Sequence, residues 1–203
     1  MIEISLNELI GALFQLLLFS VIPFIWWLIG YGKKEKFFKW IGLFQPAETK
    51  SLGKTIRISA IAIFLYIAFS AISLNCLPDG ITPAGNQFAG VGYKGIVAAL
   101  LYGFIRTGLS EEILFRGFLL KRISNKCGFM IGNTVQAVCF GLLHGIPFGM
   151  VTNSILVIIV MTILPGGFGW FQGWLNEKRF EGSIFPSWLI HGTMNTIITL
   201  ISL

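Results

Sequence analysis

The sequence predicts an all-α fold, a polytopic membrane helix bundle with about six transmembrane helices. Of the 203 residues, 55% are hydrophobic and only 12% are charged. The mean hydropathy of +0.79 exceeds the value normal for soluble domains of this size. The apolar residues also fall into runs close to the ~20 residues that a helix needs to cross the hydrocarbon core.

The predicted spans follow one another with short connections. The first lacks a basic amino-terminal region and a small-residue cleavage motif, so we expect it to span the membrane rather than to be a removable signal peptide. The third is long enough to tilt or break, and Thr107-Gly108 is its weakest point. The six spans are residues 9–30, 56–77, 94–120, 131–147, 151–174 and 184–202.

The basic residues predict the orientation of the spans. Three alternate connections, 31–57, 121–130 and 175–183, contain 12 of the 15 Lys and Arg residues. Because basic connections stay in the cytoplasm, these three are predicted to be cytoplasmic and both termini to face outward. The net charge of +6 is therefore a property of membrane topology, and we expect the lipid bilayer, not nucleic acid, as its partner.

The three cysteines do not form a recognisable site. Cys76, Cys127 and Cys139 have neither paired spacing nor a C-x-x-C motif. This pattern argues against a disulfide framework and against a thiolate zinc site.

Three charged residues, Glu111, Glu112 and Arg116, lie close together in the third span. Such residues persist in a membrane only where they pair or have a function. Glu112 and Arg116 are four residues apart on one helix face, so we expect a structural ion pair. Glu111 has no such partner, and a lone carboxylate in apolar surroundings is suited to act as a general base. The alternative is that both glutamates serve helix packing.

The only two histidines also lie in apolar segments. His144 follows Phe140 by four residues, and His191 precedes Asn195 by four. The second spacing places an imidazole and an amide on one helix face, where they can converge on a single atom. Each histidine could instead be a hydrogen-bonded packing residue between membrane helices.

Two chemistries fit a carboxylate, two histidines and an amide. In one, Glu111 and His144 bind and deprotonate a water while His191 and Asn195 stabilise an oxyanion. In the other, Glu111, His144 and His191 hold a divalent metal such as zinc, which activates a bound water. The residues alone leave both open.

The ordered motifs Glu111-Glu112-x-x-x-Arg116, Phe140-x-x-x-His144 and His191-x-x-x-Asn195 resemble the CPBP family. This family contains CAAX prenyl endopeptidases and bacteriocin-processing or immunity proteins, and is also called Abi. The resemblance covers about residues 95–203. It divides the chain into N-terminal spans with a basic cytoplasmic loop, residues 1–93, and a CPBP-type protease core, residues 94–203.

The resemblance implies a multi-pass intramembrane endopeptidase of a bacterial cell membrane. It would hydrolyse a peptide or a prenylated-protein-like substrate near the cytoplasmic leaflet, either as a metalloprotease or by a metal-free glutamate mechanism. The implied roles are catalytic base for Glu111, water positioning for His144, the oxyanion site for His191 and Asn195, a supporting pair for Glu112 and Arg116, and packing for Phe140.

Two other functions compete with proteolysis. One is a non-catalytic member of the same family, a bacteriocin self-immunity or membrane scaffold protein. A small transporter is disfavoured, because the outer halves of most spans lack polar residues. Other intramembrane protease classes are also disfavoured, since the sequence has no His-Glu-x-x-His and no Gly-x-Ser-x-Gly motif.

Overall fold

The protein folds into helices, as seen in a computed structural model that describes residues 2–32, 34–46, 52–75 and 84–203. No β-strand occurs among these residues, and the prediction of an all-α membrane bundle is confirmed. The α-helices in chain order are α1 (Ile2–Gly30), α2 (Phe37–Trp40), α3 (Leu52–Asn75), α4 (Ile96–Leu100), α5 (Lys121–Cys127), α6 (Phe129–Thr152), α7 (Ile155–Arg179) and α8 (Phe185–Ser202).

Within the described residues, four helices are long and apolar enough to cross a membrane. They are Ile2–Gly30, Leu52–Phe69, Phe129–Thr152 and Ile155–Arg179. The third and sixth predicted spans are helical but are not among the four, so the count of six is not confirmed. The third is divided into several short helical segments, and the polar residues His191 and Asn195 lower the hydropathy of the sixth.

The third predicted span has an unusual backbone. After α4, residues Leu101–Leu109 and Glu112–Leu120 form two π-helices. The predicted weak point at Thr107-Gly108 lies in the first of these, where the chain widens its turn instead of breaking. Isolated π turns often mark functional positions, and Glu111 lies at the junction of the two π-helices.

One compact unit consists of Met1–Gln45, Thr82–Phe118 and Ser183–Leu203. Here α8 packs closely on the first π-helix, since a Cβ on Gly103 would lie 2.7 Å from the carbonyl oxygen of Gly192. A buried apolar cluster forms the core of this unit. It contains Trp40, Ile41, Ile113, Phe118 and Ile184.

The other unit consists of Pro46–Ile81 and Leu119–Gly182 and contains α3, α5, α6 and α7. In it α6 and α7 form an antiparallel hairpin with close contacts at glycines, as between Gly166 and the carbonyl oxygen of Ala137. Buried amides bridge the pair: Asn133 donates to Trp170 O at 2.9 Å and Gln136 donates to Gly169 O at 3.0 Å. Small residues and side-chain hydrogen bonds commonly stabilise the contact between membrane helices.

Some sequence predictions fall on residues outside this description. Cys76 and part of the basic connection 31–57 are not among the described residues. Cys127 and Cys139 are exposed free thiols. The proposed division at residues 93 and 94 stays a prediction.

Candidate active site

A buried carboxylate, Glu112, organises the polar site. Its side chain is inaccessible to solvent, and Oε1 lies 3.4 Å from Nη1 of the equally buried Arg116. Oε1 also lies 3.1 Å from Nδ1 of His191, and Oε2 accepts a hydrogen bond from the Ser187 hydroxyl. The ion pair predicted from the four-residue spacing is therefore present, and the same carboxylate reaches α8.

The contact with Glu112 fixes the orientation of His191. A carboxylate paired with arginine accepts hydrogen bonds, so Nδ1 of His191 donates its hydrogen to it. In the neutral ring this leaves Nε2 as the basic nitrogen. The imidazole thus presents a proton acceptor on the side away from Glu112.

Glu111 faces that nitrogen. Its Oε2 lies 3.7 Å from His191 Nε2 and has no hydrogen-bond partner within the described residues. Glu111 and His191 are each only 7% exposed. The gap is too long for a direct hydrogen bond, yet both atoms can contact one water molecule at about 2.8 Å.

Asn195 lies one turn further along α8, where its Nδ2 is 2.8 Å from the Thr107 hydroxyl. That hydroxyl donates to the carbonyl oxygen of Tyr102 at 3.0 Å, so it must accept from Asn195. The amide orientation follows from this order. The second amide hydrogen of Asn195 remains directed elsewhere.

The remaining predicted residues belong to the other compact unit. On α6, His144 Nδ1 lies 2.8 Å from the carbonyl oxygen of Phe140, and the two rings are 4.6 Å apart between centroids. His144 is half-buried. The structure thus brings five of the predicted residues together in one unit, namely Glu111, Glu112, Arg116, His191 and Asn195, and pairs Phe140 with His144 in the second.

Comparison with protein-family models matches residues 93–197 to the family described as type II CAAX prenyl endopeptidase Rce1-like. This segment is more than half of the chain and contains all seven predicted site residues. The chain belongs to the Rce1-like family. The resemblance to CPBP proteins is confirmed, and family membership supports an intramembrane CAAX protease-type function in general. No curated protein and no solved structure matches the chain.

Family membership and the four apolar helices identify an integral membrane protein. Large apolar side chains of α1 are exposed over most of its length, as expected of a helix that faces lipid. Only 11% of its most apolar window is buried within the protein.

Sequence reasoning missed two residues that complete the site in this Rce1-like protein. Ser187 precedes His191 by four residues, and Thr107 precedes Glu111 by four. Both spacings were visible as extensions of helix faces already singled out. Neither hydroxyl was chosen, because serine and threonine are common in membrane helices as backbone-bonded residues.

A second, partly buried ion pair was also missed. Arg106 Nη1 lies 3.0 Å from Glu8 Oε2, and Arg106 Nε lies 3.4 Å from Gln15 Oε1. Gln15 in turn donates to the Ser110 hydroxyl at 3.4 Å. A glutamate in the first apolar helix and an arginine in the third were the available signal. The pair fastens α1 to the π-helix next to Glu111.

The donors for a metal are incomplete in this unit. Glu111 and His191 approach each other, but His144 belongs to the other unit. No group of three or more His, Cys, Asp or Glu side chains among the described residues is arranged to hold a metal ion. These two donors do not by themselves fit a catalytic zinc site, which needs three protein ligands.

Proposed function

We propose that this protein is an intramembrane endopeptidase of a bacterial cell membrane that hydrolyses its substrate near the cytoplasmic leaflet. The proposal rests on Oε2 of Glu111, which is buried, has no hydrogen-bond partner among the described residues and faces His191 Nε2. Glu112 holds the ring in that orientation from the other side. Family membership supplies the reaction class.

The first step is activation of a water. A water between the two residues donates one hydrogen to Glu111 Oε2 and the other to His191 Nε2, which leaves its oxygen lone pairs free. As the water oxygen bonds to the peptide carbonyl carbon, Glu111 takes the proton of the water, and the carbonyl π electrons move to the carbonyl oxygen. The predicted oxyanion role of His191 is replaced in this proposal by a role at the water, because Nε2 faces Glu111.

The second step is collapse of the tetrahedral intermediate. The remaining amide hydrogen of Asn195 donates to the oxyanion, and Thr107 holds that amide in place. Glu111 returns its proton to the departing nitrogen, the C–N bond breaks, and an acid and an amine are released. The steps proposed here use only residues of the unit that contains Glu111, and the water-positioning role of His144 stays a prediction.

For the substrate we propose a peptide or prenylated protein carried in the membrane. The family description names a CAAX prenyl endopeptidase, whose substrate motif is a prenylated cysteine followed by two aliphatic residues and a final residue. The apolar surroundings of the site suit a substrate that is held by lipid modification. The metal mechanism is not part of this proposal and stays a sequence prediction, which elemental analysis beside the activity assay decides.

Glu111→Gln should abolish cleavage while the protein stays folded. The amide cannot accept the proton, and a loss of about 10²–10⁴-fold is expected for removal of a general base. The assay uses the full chain in detergent with an internally quenched peptide that ends in a farnesylated CAAX motif. Glu3→Gln, an exposed glutamate on α1, is the matched control and should cleave normally.

Full activity of Glu111→Gln would remove Glu111 as the base. If the wild-type protein cleaves nothing but still protects cells from a bacteriocin, and Glu111→Gln protects equally well, the non-catalytic immunity or scaffold reading replaces proteolysis.

A further inference from the structure

A cleft at one end of the α6–α7 hairpin is not used by the proposed reaction. Its volume is about 880 Å³, within the range of about 300–1,000 Å³ typical of small-molecule sites. The cleft lies wholly within the second compact unit, where α6 begins and α7 ends. It is lined by Cys127, Gly128, Phe129, Met130, Ile131, Trp170, Trp174, Lys178 and Arg179.

The lining combines aromatic rings with two cations. Phe129 and Trp170 contact each other with ring centroids 6.4 Å apart. Lys178 Nζ lies 4.5 Å from the centre of the Phe129 ring, and the Arg179 guanidinium lies 5.2 Å from that of Trp174. Aromatic rings next to cations at the end of a membrane helix are typical of the membrane–water interface, where aromatic side chains lie at the depth of the lipid headgroups.

Neither of these two cations has a counter-ion among the protein residues that the structure describes. Within the described residues no carboxylate pairs with Lys178 or Arg179, and Arg179 Nε is buried without a hydrogen-bond partner. Nearby Lys121 differs, since Glu177 lies 2.7 Å from its Nζ. The cleft therefore carries two uncompensated positive charges at an end of the hairpin that the sequence assigns to the cytoplasmic surface.

The apolar part of the lining turns toward lipid. Met130 and Ile131, in the first turn of α6, are 62% and 54% exposed. A ligand that fits must present an anion to the cations and an alkyl chain to these side chains. An anionic phospholipid has both parts in this order along the membrane normal.

We infer that this cleft is a binding site for an anionic phospholipid of the cytoplasmic leaflet, with the phosphate at Lys178 and Arg179 and an acyl chain along Met130 and Ile131. The inference is independent of the peptidase proposal, since none of its residues belongs to the site around Glu111. Its consequence is that anionic lipid stabilises the α6–α7 hairpin.

The test measures binding of dioleoylphosphatidylglycerol to the full chain in detergent by native mass spectrometry, with dioleoylphosphatidylcholine and inorganic phosphate as separate probes. The double variant Lys178→Gln/Arg179→Gln should bind phosphatidylglycerol about 30-fold more weakly, about fivefold for each basic side chain removed near an anionic headgroup. The charge-conserving variant Lys178→Arg/Arg179→Lys should retain binding.

The matched control is Lys34→Gln/Lys39→Gln, which removes the same charge from two exposed lysines that do not line the cleft and should bind normally. Equal phosphatidylglycerol binding by the wild type and the Lys178→Gln/Arg179→Gln variant would overturn the inference. So would equal losses in both neutralised pairs, equal binding of phosphatidylcholine, or saturation by phosphate alone. Unfolding of each variant without lipid, followed by circular dichroism, shows that the fold is intact.

Discussion

Glu112 is the residue on which the site depends most. One carboxylate balances Arg116, orients His191 and accepts from Ser187. The sequence predicted the contact with Arg116, because a separation of four residues places both side chains on one face of a helix. The contacts to α8 join residues 75 and 79 positions apart, and only the packing of distant segments determines them.

Removing this carboxylate should destabilise the protein. Glu112→Ala leaves the Arg116 charge buried without its partner, and breaking such a pair costs about 3–5 kcal/mol. The free energy of unfolding in detergent, or a lowered melting temperature, measures the effect. A Glu112→Ala protein that is normally stable but inactive would mean that the roles of the two glutamates are reversed.

A double variant separates stability from orientation. In Glu112→Leu/Arg116→Met both charges are replaced by apolar groups of similar size, an exchange that is often neutral for stability. We expect near-normal unfolding but little cleavage, because His191 Nδ1 has lost its acceptor. Normal cleavage by this stable variant would show that His191 does not depend on Glu112.

His191 and Asn195 should act as a unit in turnover. Asn195 is the proposed oxyanion donor, whose loss costs about 10²–10³ in turnover. His191 holds the attacking water, and a side chain that assists proton transfer contributes about 10²–10⁴-fold. We expect His191→Ala and Asn195→Ala each to lose activity on this scale, and the double variant to lose less than the product, since residues acting together are not additive. Single-turnover rates of the farnesylated peptide measure both.

Metal content of the same variants separates the two chemistries. If His191 is a metal ligand, His191→Ala loses bound metal while Asn195→Ala keeps it. Near-normal rates in all three variants would remove α8 from the active site.

At the scale of elements, the close packing of α8 on the first π-helix positions the side chains of the candidate active site. A Cβ on Gly103 would lie 2.7 Å from Gly192 O, and one on Gly108 would lie 3.3 Å from Gly192 Cα. These glycines allow the two backbones to touch, which brings His191 within reach of both glutamates. The same face carries the Trp188 indole, which donates to Phe104 O at 2.7 Å.

Gly103→Ala should therefore loosen the site. The added methyl group meets backbone atoms, which cannot move aside without shifting α8, and overpacking of this kind costs about 1–3 kcal/mol. Thermal unfolding in detergent and cleavage rate should both fall. Gly167→Ala on α7 is the control, because no atom lies within 4 Å of its added Cβ. Equal stability of the two variants would contradict the importance of this contact.

Hydropathy alone predicted most of the helices. The predicted span 184–202 corresponds to Phe185–Ser202, and 131–147 lies within Phe129–Thr152. The π-helices were not predicted, because apolar periodicity was interpreted with the regular α-helical repeat. The Glu8–Arg106 pair was missed for a related reason: each charge was isolated in its own segment, and neither had a partner at helical spacing.

At the scale of the whole molecule, the distribution of Lys and Arg predicts on which side of the membrane each connection lies. The basic connections alternate along the chain, and their described residues include the short helices α2 and α5 and the ends of α3, α6 and α7. Composition could predict the membrane class, because this class depends on a sum over many residues; the side of each connection stays a prediction. It could not predict the two compact units, because each is assembled from segments that are distant in the sequence.

The basic connections should be cytoplasmic and the carboxyl end should lie outside, because Lys and Arg are retained on the cytoplasmic side. Cysteine labelling in intact cells tests this in a background where Cys76, Cys127 and Cys139 are replaced by serine. An impermeant maleimide should label Ser202→Cys from outside and should reach the exposed position of Lys36→Cys only after lysis. Outside labelling of Lys36→Cys would invert the topology, and with it the leaflet proposed for cleavage and for the anionic lipid.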